Sequence, residues 1–395
     1  MNSGFLPGVN VLTSEFRSKP ISKLKMNDKI FSHPSFINKV HDVEKFKYSG
    51  NVIQIRCLGQ FYSVECSNEQ EFYAVKKEFR DFCRKKFSQI KIEVFEDNIE
   101  ILQAKSLKKG DMLIIPKHSM KSDIKTLKTE DFVYSHSPKI KYQLPNQIKL
   151  TKKLFRWFGY FLAEGMVVYT SDKRFDKKCS GINFTINLNE NYIFKDIVST
   201  GKEIFHLNPR VIDFHDRNGR RIDYYSTQLG EMMFSLFNTG SSKKKIHPHL
   251  MMAQRDLLDE LVIGWLAGDG WICNSKGKKG IIIGNTTSLH LANQIYILLM
   301  NRGRLPSLNI AAHKNQNRTK AREMGFILKH PLYSITLPKN LNMCRRKQNS
   351  YLIFTPISEL KSMNYDGFIY NLQVKKTNSY QANYYWVPGL NSNEL

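Results

Sequence analysis

Cysteine is scarce, with six among 395 residues, at Cys57, Cys66, Cys83, Cys179, Cys273 and Cys344. No two share CxxC spacing, which argues against a thiolate zinc module, and scattered single thiols suit a reducing compartment. Long apolar runs are missing as well. None approaches the ~20 residues a membrane helix needs. The opening MNSGFLPGVN lacks the basic-then-apolar layout of a secretory signal. Acidic residues are also few: 35 against 60 Lys and Arg, for a formal charge of +25. These absences predict a soluble, intracellular protein. The positive excess calls for a polyanionic partner, most often nucleic acid. A hydrophobic fraction of 41% is enough to build cores, and the length allows two domains.

From Gly4 to about Lys117 the texture is that of short strands. NVIQIRCLG and FYSVEC alternate apolar and polar residues at period two, and KKGDMLIIP reads as a Gly-Asp turn entering a buried strand. Residues 118–149 are polar and rich in Lys and Ser, with Pro138 and Pro145, and read as a linker. From Leu150 to about residue 350, long helical patterns separated by strands take over. Strand texture then returns in FIYNLQVKK and NSYQANYYWV. The pattern is an all-β domain interrupted by a mixed one.

The middle region repeats itself. One copy runs from the helix KLFRWFGYFLAEG through the strand GINFTINL to the helix NYIFKDIVSTGKEIF. The other runs from LLDELVIGWLAGDG through GIIIGNTT to LHLANQIYILLMNRG. Each closes on a basic, strand-rich stretch. These carry Arg210, Arg217, Arg220 and Arg221 in the first copy, and Lys314, Arg318, Lys320 and Arg322 in the second. Such side chains suit phosphate and groove contacts.

Within the first helix of each copy, small residues recur four apart: Gly159 and Ala163, then Gly264 and Gly268. A mid-helix Gly costs ~1 kcal/mol relative to Ala. Its repeated use predicts two helices whose backbones touch along that stripe. The stripe ends at an acid in each copy, Glu164 and Asp269, each followed by a Gly suited to a helix C-cap, Gly165 and Gly270. A carboxylate there faces the negative end of the helix dipole. Two such helices side by side would raise at least one carboxyl pKa. A divalent cation relieves both problems, and carboxylates with phosphate oxygens and water are the ligands Mg2+ prefers.

These residues resemble the LAGLIDADG homing endonucleases, in the form carried by inteins. The resemblance implies an α+β fold with two pseudo-symmetric αββαββα-type repeats, at about 150–240 and 250–350, within an endonuclease domain of 150–351. It further implies metal-dependent hydrolysis of double-stranded DNA at one long asymmetric site by a monomer with internal two-fold pseudosymmetry. Glu164 and Asp269 would bind Mg2+, or another divalent cation such as Mn2+. The family also carries a supporting lysine in a K-x-P or K-I-P segment before the second helix. Here the segment is KKKIHPHL, which points to Lys245, with His247 standing before Pro248. The second-half counterpart falls near Arg345, Arg346 and Lys347, with Lys347 the assignment.

The flanks, 4–117 and 352–389, resemble the Hint splicing domain of inteins, which gives a Hint-like domain of 1–117 plus 352–395 with 118–149 as linker. Splicing in that family needs a Cys or Ser first, a T-x-x-H segment and a terminal His-Asn. Here the first position is Gly4, the segment carries Ser67 and Gln70, and the terminal pair aligns with Pro388 and Gly389. Only three residues precede Gly4. The expectation is a splicing-dead scaffold bearing a live nuclease, placed wherever the target DNA is: the nucleus in a eukaryote, otherwise the cytoplasm. Two alternatives stand beside it, an active self-splicing intein and an RNA-binding intron-splicing cofactor.

Overall fold

The structure is a computed structural model describing residues 3–33, 37–82, 87–118, 124–135, 143–170, 179–274, 280–312, 329–341 and 344–390. The chain divides into two compact units. One comprises Met1–Met120, Tyr296–Asn309 and Thr336–Leu395; the other comprises Lys121–Ile295 and Ile310–Ile335. The expected boundary at 150–351 shifts accordingly, because 296–309 and 336–351 pack with the first unit.

The first unit is built on a long antiparallel ladder. Ile37–Cys57 pairs with Leu352–Val374 from Val40↔Val374 to Cys57↔Ile357. The start of that second strand continues onto Met112–Pro116, which meets Glu71–Val75 and then Glu100–Gln103. A smaller sheet orders Ser18–Pro20, Asn10–Leu12, Ser379–Ala382 and Tyr385–Pro388. Apolar side chains including Phe5, Val52, Ile55, Phe72, Ile114, Phe354 and Tyr380 fill the core. The Gly-Asp turn also forms as read. Gly110 takes φ +99, and the buried Asp111 carboxylate accepts from the amides of Lys108 and Lys77, fixing the chain where it enters Met112–Pro116.

In the second unit, the helix Lys152–Glu164 starts at Thr151, whose hydroxyl accepts from the Leu154 amide, and ends where Gly165 opens the strand Gly165–Tyr169. Cys179–Asn187, the helix Asn191–Phe205, Arg210–Phe214, Gly219–Tyr224 and the helix Thr227–Phe237 follow. A second run, of which 296–309 and 336–337 belong to the first unit, is the helix Arg255–Asp269, Gly270–Cys273, Ile281–Thr286, the helix Leu289–Asn301, Ser307–Ala312 and Leu332–Leu337. Each run makes a four-stranded sheet with the same order: first, second, fourth, third. Among the described residues no closing helix follows Leu332–Leu337, so the second run is shorter than the αββαββα pattern expected of it.

The span 118–149 is not a free linker. Thr126–Lys128 pairs antiparallel with Gln147–Lys149. The amides of Tyr134 and Ser135 donate to the Glu231 carboxylate, and the Leu144 amide to Gln228, both on the Thr227–Phe237 helix. Leu127, Phe132, Val133, Leu144 and Ile148 are buried, apolar anchors that the surrounding Lys and Ser hide in a composition count.

Candidate functional site

The two motif helices, Lys152–Glu164 and Arg255–Asp269, meet along their small-residue stripes. A Cβ built at Gly159 would stand 2.6 Å from the Trp265 amide nitrogen and 2.8 Å from the Gly264 Cα. One built at Gly264 would overlap the Arg156 carbonyl. At Gly268 it would stand 2.6 Å from the Ala163 Cβ and 2.9 Å from Glu164 Oε1. No side chain separates the backbones, and the Glu164 carboxylate lies against the residue that precedes Asp269. Polar anchors fix the other end of the crossing, where Arg156 pairs with Glu260 at 2.6 Å and donates to the Tyr192 hydroxyl at 2.8 Å.

Gly165 and Gly270 are the C-caps of their helices, as read, without a left-handed conformation. Both are extended, at φ −88, ψ 153 and φ −112, ψ 158. Glycine is required here for space. A Cβ at 165 would stand 2.6 Å from Phe161 Cγ, and one at 270 would stand 3.0 Å from Leu266 Cα.

Burial is the main force on both carboxyls. It pushes Asp269 up to about 7, Glu164 adds to the rise, and Lys244 and a hydrogen bond from Trp265 oppose it. Glu164 is also raised, by burial first and then by Glu190, against the pull of Lys244. Trp265 Nε1 donates to Asp269 Oδ2 at 3.1 Å from one helical turn earlier, a partner the sequence analysis missed. The i, i+4 spacing on one helix was its available signal.

The lysine at this site is Lys244, which corrects the register of the KKKIHP run by one residue. Its side chain is 5% exposed, and Nζ donates to the carbonyls of Phe161 and Leu162, both at 2.8 Å, and of Ala163 at 3.3 Å. It therefore places positive charge on the unsatisfied carbonyls at the C-terminal end of the first motif helix. Burial pulls its pKa down to about 8, while Asp269 and Glu164 hold it up. Lys245 is only half-buried. Burial alternates along the segment, with Lys244 and Ile246 buried, Lys243 exposed and Lys245 half-buried. Period-two parity counted back from Ile246 would have identified it. Lys347 belongs to the other unit. There its ammonium donates to the carbonyls of Ser88 and Ile90 and lies 5.3 Å from the Phe87 ring centroid, so its contacts are with that unit's own residues.

The first-copy arginines divide between two sheet faces. Ile222 and Tyr224 face the core, where the Tyr224 hydroxyl donates to the Ile197 carbonyl. Arg220 shares that face. Its guanidinium clasps Asp213 at 2.7 and 2.9 Å and lies 4.2 Å from the Phe194 ring centroid, which corrects its expected place on a DNA-facing surface. Arg221 lies on the opposite face beside the buried Asp223, and Arg210 stands opposite Asp223 in the ladder. Arg217 projects from the connecting turn, largely exposed beside Asp216. Lys314, Arg318, Lys320 and Arg322 lie outside the described residues.

In the first unit the aligned splicing positions come together in part. The Gly4 amide donates to Ser67 Oγ at 3.1 Å, and the Ser67 amide to the Gly4 carbonyl at 2.9 Å. Gln70 Oε1 accepts from Asn371 Nδ2, which also donates to Ser3, while the Tyr380 hydroxyl donates to Asn371 Oδ1. A Cβ at Gly4 would stand 3.0 Å from the Tyr370 carbonyl oxygen. Pro388 ends a strand opposite Ser379, and the Gly389 amide donates to the Asn378 carbonyl.

No family model matches the chain. It is similar to an uncharacterized protein of Methanocaldococcus jannaschii, 26% identical over 413 residues covering 95% of this chain and 49% of that protein. It is also similar to the ATP-dependent DNA helicase Hel308 of Thermococcus kodakarensis, 21% identical over 398 residues covering 93% of this chain and 34% of the helicase. The chain thus spans half or less of the length of these relatives. Solved structures similar to parts of it include the homing endonuclease I-DmoI in complex with DNA and Ca, with a TM-score of 0.34 and 9% identity over 49% of this chain and 85% of that one. Another is an intein-like domain from Clostridium thermocellum, with a TM-score of 0.21 and 17% identity over 29% and 67%. Among the described residues no helix is long and apolar enough to cross a membrane.

Proposed function

We propose that this chain is a site-specific, divalent-metal-dependent endonuclease of double-stranded DNA, carried by a Hint-like domain that no longer splices. The observation that carries the reading is the convergence of Glu164 and Asp269. Two half-buried acids stand at the ends of helices held in backbone contact, both with raised carboxyl pKa values. Left alone, that arrangement is electrostatically costly. Among the described residues no third His, Cys, Asp or Glu joins them. An oxygen-only pair suits a hard cation such as Mg2+ or Mn2+, leaving coordination positions for water and phosphate oxygens. Bound there, such an ion supplies an activated water and charge stabilisation for phosphodiester hydrolysis. Glu164 and Asp269 would hold it, and Lys244 would keep the pair oriented and partly neutralised.

Two four-stranded sheets of identical order support a pseudo-symmetric monomer reading one long, asymmetric site, each half serving one strand. Arg210, Arg217 and Arg221 are the described residues offered to phosphates. Loss of splicing is supported by Gly4 and Gly389, which carry no heteroatom for acyl shift or succinimide formation, and by the tight space around Gly4.

The test is incubation of purified protein and its Asp269→Asn variant with a pool of randomised DNA duplexes and Mg2+. The expected result is metal-dependent double-strand cutting of a small subset by the parent, and retained binding without cutting by the variant. Equal cutting by both sinks the assignment.

A further inference from the structure

Each motif helix carries an aromatic residue directly after its first stripe glycine, Tyr160 after Gly159 and Trp265 after Gly264. Each of these stands four residues ahead of the terminal acid, one turn away on the same side of the helix. The two are put to different use. The Tyr160 hydroxyl donates to Asp196 Oδ2 at 3.0 Å, on the helix Asn191–Phe205. The Trp265 indole donates instead to its own helix's acid, Asp269 Oδ2, at 3.1 Å. Trp265 is fully buried, and an indole has only one N–H to satisfy.

The neighbouring strand is shaped for that ring. Gly284 lies inside Ile281–Thr286, opposite Gly270, where a glycine weakens the strand and marks a close approach. A Cβ at 284 would stand 2.5 Å from Trp265 Cη2 and 2.7 Å from Cζ3. The indole is rigid and enclosed, so a methyl there would turn it and carry Nε1 away from Asp269. In the first half the matching place, opposite Gly165, is taken by the buried ring of Phe184, which packs against Trp157 with 5.1 Å between centroids. One half fills the position. The other vacates it for a ring whose single donor meets a carboxylate.

A carboxylate with one oxygen fixed offers the other in a single orientation. A hydrogen bond of this kind restricts rotation and lowers the cost of ordering the carboxylate when an ion binds. Resting on the nuclease reading above, we propose that Trp265, seated by Gly284, is a positioning residue for Asp269: it pins Oδ2 and leaves Oδ1 set for the divalent cation. Glu164 is one methylene longer, and Tyr160, which matches Trp265 in its helix, is engaged with Asp196. The two halves therefore hold the ion with unequal rigidity.

The test has two readouts on the full chain. In the first, cutting of a duplex selected from the pool is followed against Mg2+ concentration, at a temperature where every variant is folded. Trp265→Phe keeps a buried ring without the donor. It should raise the half-maximal Mg2+ concentration about tenfold and leave the rate at saturating Mg2+ within about twofold of the parent. Gly284→Ala should do the same by turning the ring. Tyr160→Phe and Trp157→Phe are the controls. The former removes the matching donor of the other helix, and the latter an equally buried indole whose Nε1 donates to the Ile197 carbonyl at 3.3 Å. Both should lower the melting temperature without moving the Mg2+ midpoint. The second readout needs no cutting: isotope-labelled indole N–H signals of the four tryptophans by NMR, with the Trp265 signal identified by its loss in Trp265→Phe. That signal should shift in Asp269→Asn and be broadened by Mn2+ ahead of the Trp157 signal. A Trp265 signal indifferent to Asp269→Asn and to Mn2+, or a Trp265→Phe midpoint equal to the parent's, overturns the proposal while leaving the nuclease reading intact. Absence of cutting by the parent overturns the nuclease reading and this proposal with it.

Discussion

Gly264→Ala is the sharpest test of the helix crossing. The added methyl would overlap the Arg156 carbonyl oxygen and stand 3.0 Å from its carbon and 3.1 Å from the Gly159 Cα. All three are main-chain atoms within helices, so no side chain can swing aside. Ordinary carbon contacts of ~3.5–4 Å require the helices to part by roughly 1 Å. Overpacking of this kind costs ~1–3 kcal/mol or more, against ~1 kcal/mol gained from the better helix propensity of Ala. Taking a net loss of about 2 kcal/mol for a unit of roughly 200 residues, the melting temperature should fall by about 4–8 °C. Gly8→Ala, where a Cβ meets nothing within 4 Å, is the matched control. The parting also separates Glu164 from Asp269, so cutting should fall more than stability alone explains. Thermal melts followed with cutting at a temperature where both proteins are folded separate the two effects. A variant that melts at or above the parent temperature would refute backbone contact between these helices.

Asp269→Asn should stabilise the metal-free protein at pH 8. A carboxyl raised to about 7 is a penalty on the charged form, full above that pH, fading as pH falls through it and gone below the ordinary 3.8; melts at pH 8 and pH 4 should show the gain only at the former. Lys244→Met should destabilise by ~2 kcal/mol, because it leaves the Phe161 and Leu162 carbonyls without their buried donor, and a melt matching the parent would contradict that role. Burial holds His118 down at about 4 from an ordinary 6.5, so its contribution to stability is complete above pH 6.5 and lost as pH falls toward 4, about 3 kcal/mol in all. His118→Gln should flatten that acid limb in hydrogen exchange of the first unit, and an unchanged limb would place the sensitivity elsewhere. Fused between foreign flanking domains, the chain should give no ligated product by mass spectrometry, and clean excision would show a working splicing site.

Legibility in the sequence followed how local each feature was. The glycine stripe and the acid that ends it are encoded in spacing along single helices, and the structure packs the two stripes against each other. The Lys244 register was missed because three consecutive lysines look alike until Ile246 fixes which side faces inward. Arg220 was misplaced because charge was weighed without the alternation set by Ile222 and Tyr224. The packed hairpin within 118–149 escaped because few apolar anchors sit among many polar residues, and Glu231, which fixes it, lies some hundred residues away.

The ladder between Ile37–Cys57 and Leu352–Val374 also has a consequence in time. Its two strands are separated by about 300 residues, which a ribosome delivering 5–20 residues per second takes roughly 15–60 s to bridge. During synthesis the earlier strand waits without its partner, and a long unpaired strand invites pairing with other chains. Its exposed positions between 41 and 51 are mostly polar, with His41, Asp42, Lys45 and Lys47 among them. Charge on a waiting edge discourages such pairing. The insertion thus sets a folding schedule in which the interrupted domain is completed last, and the same lysines and acids serve as its guard until then.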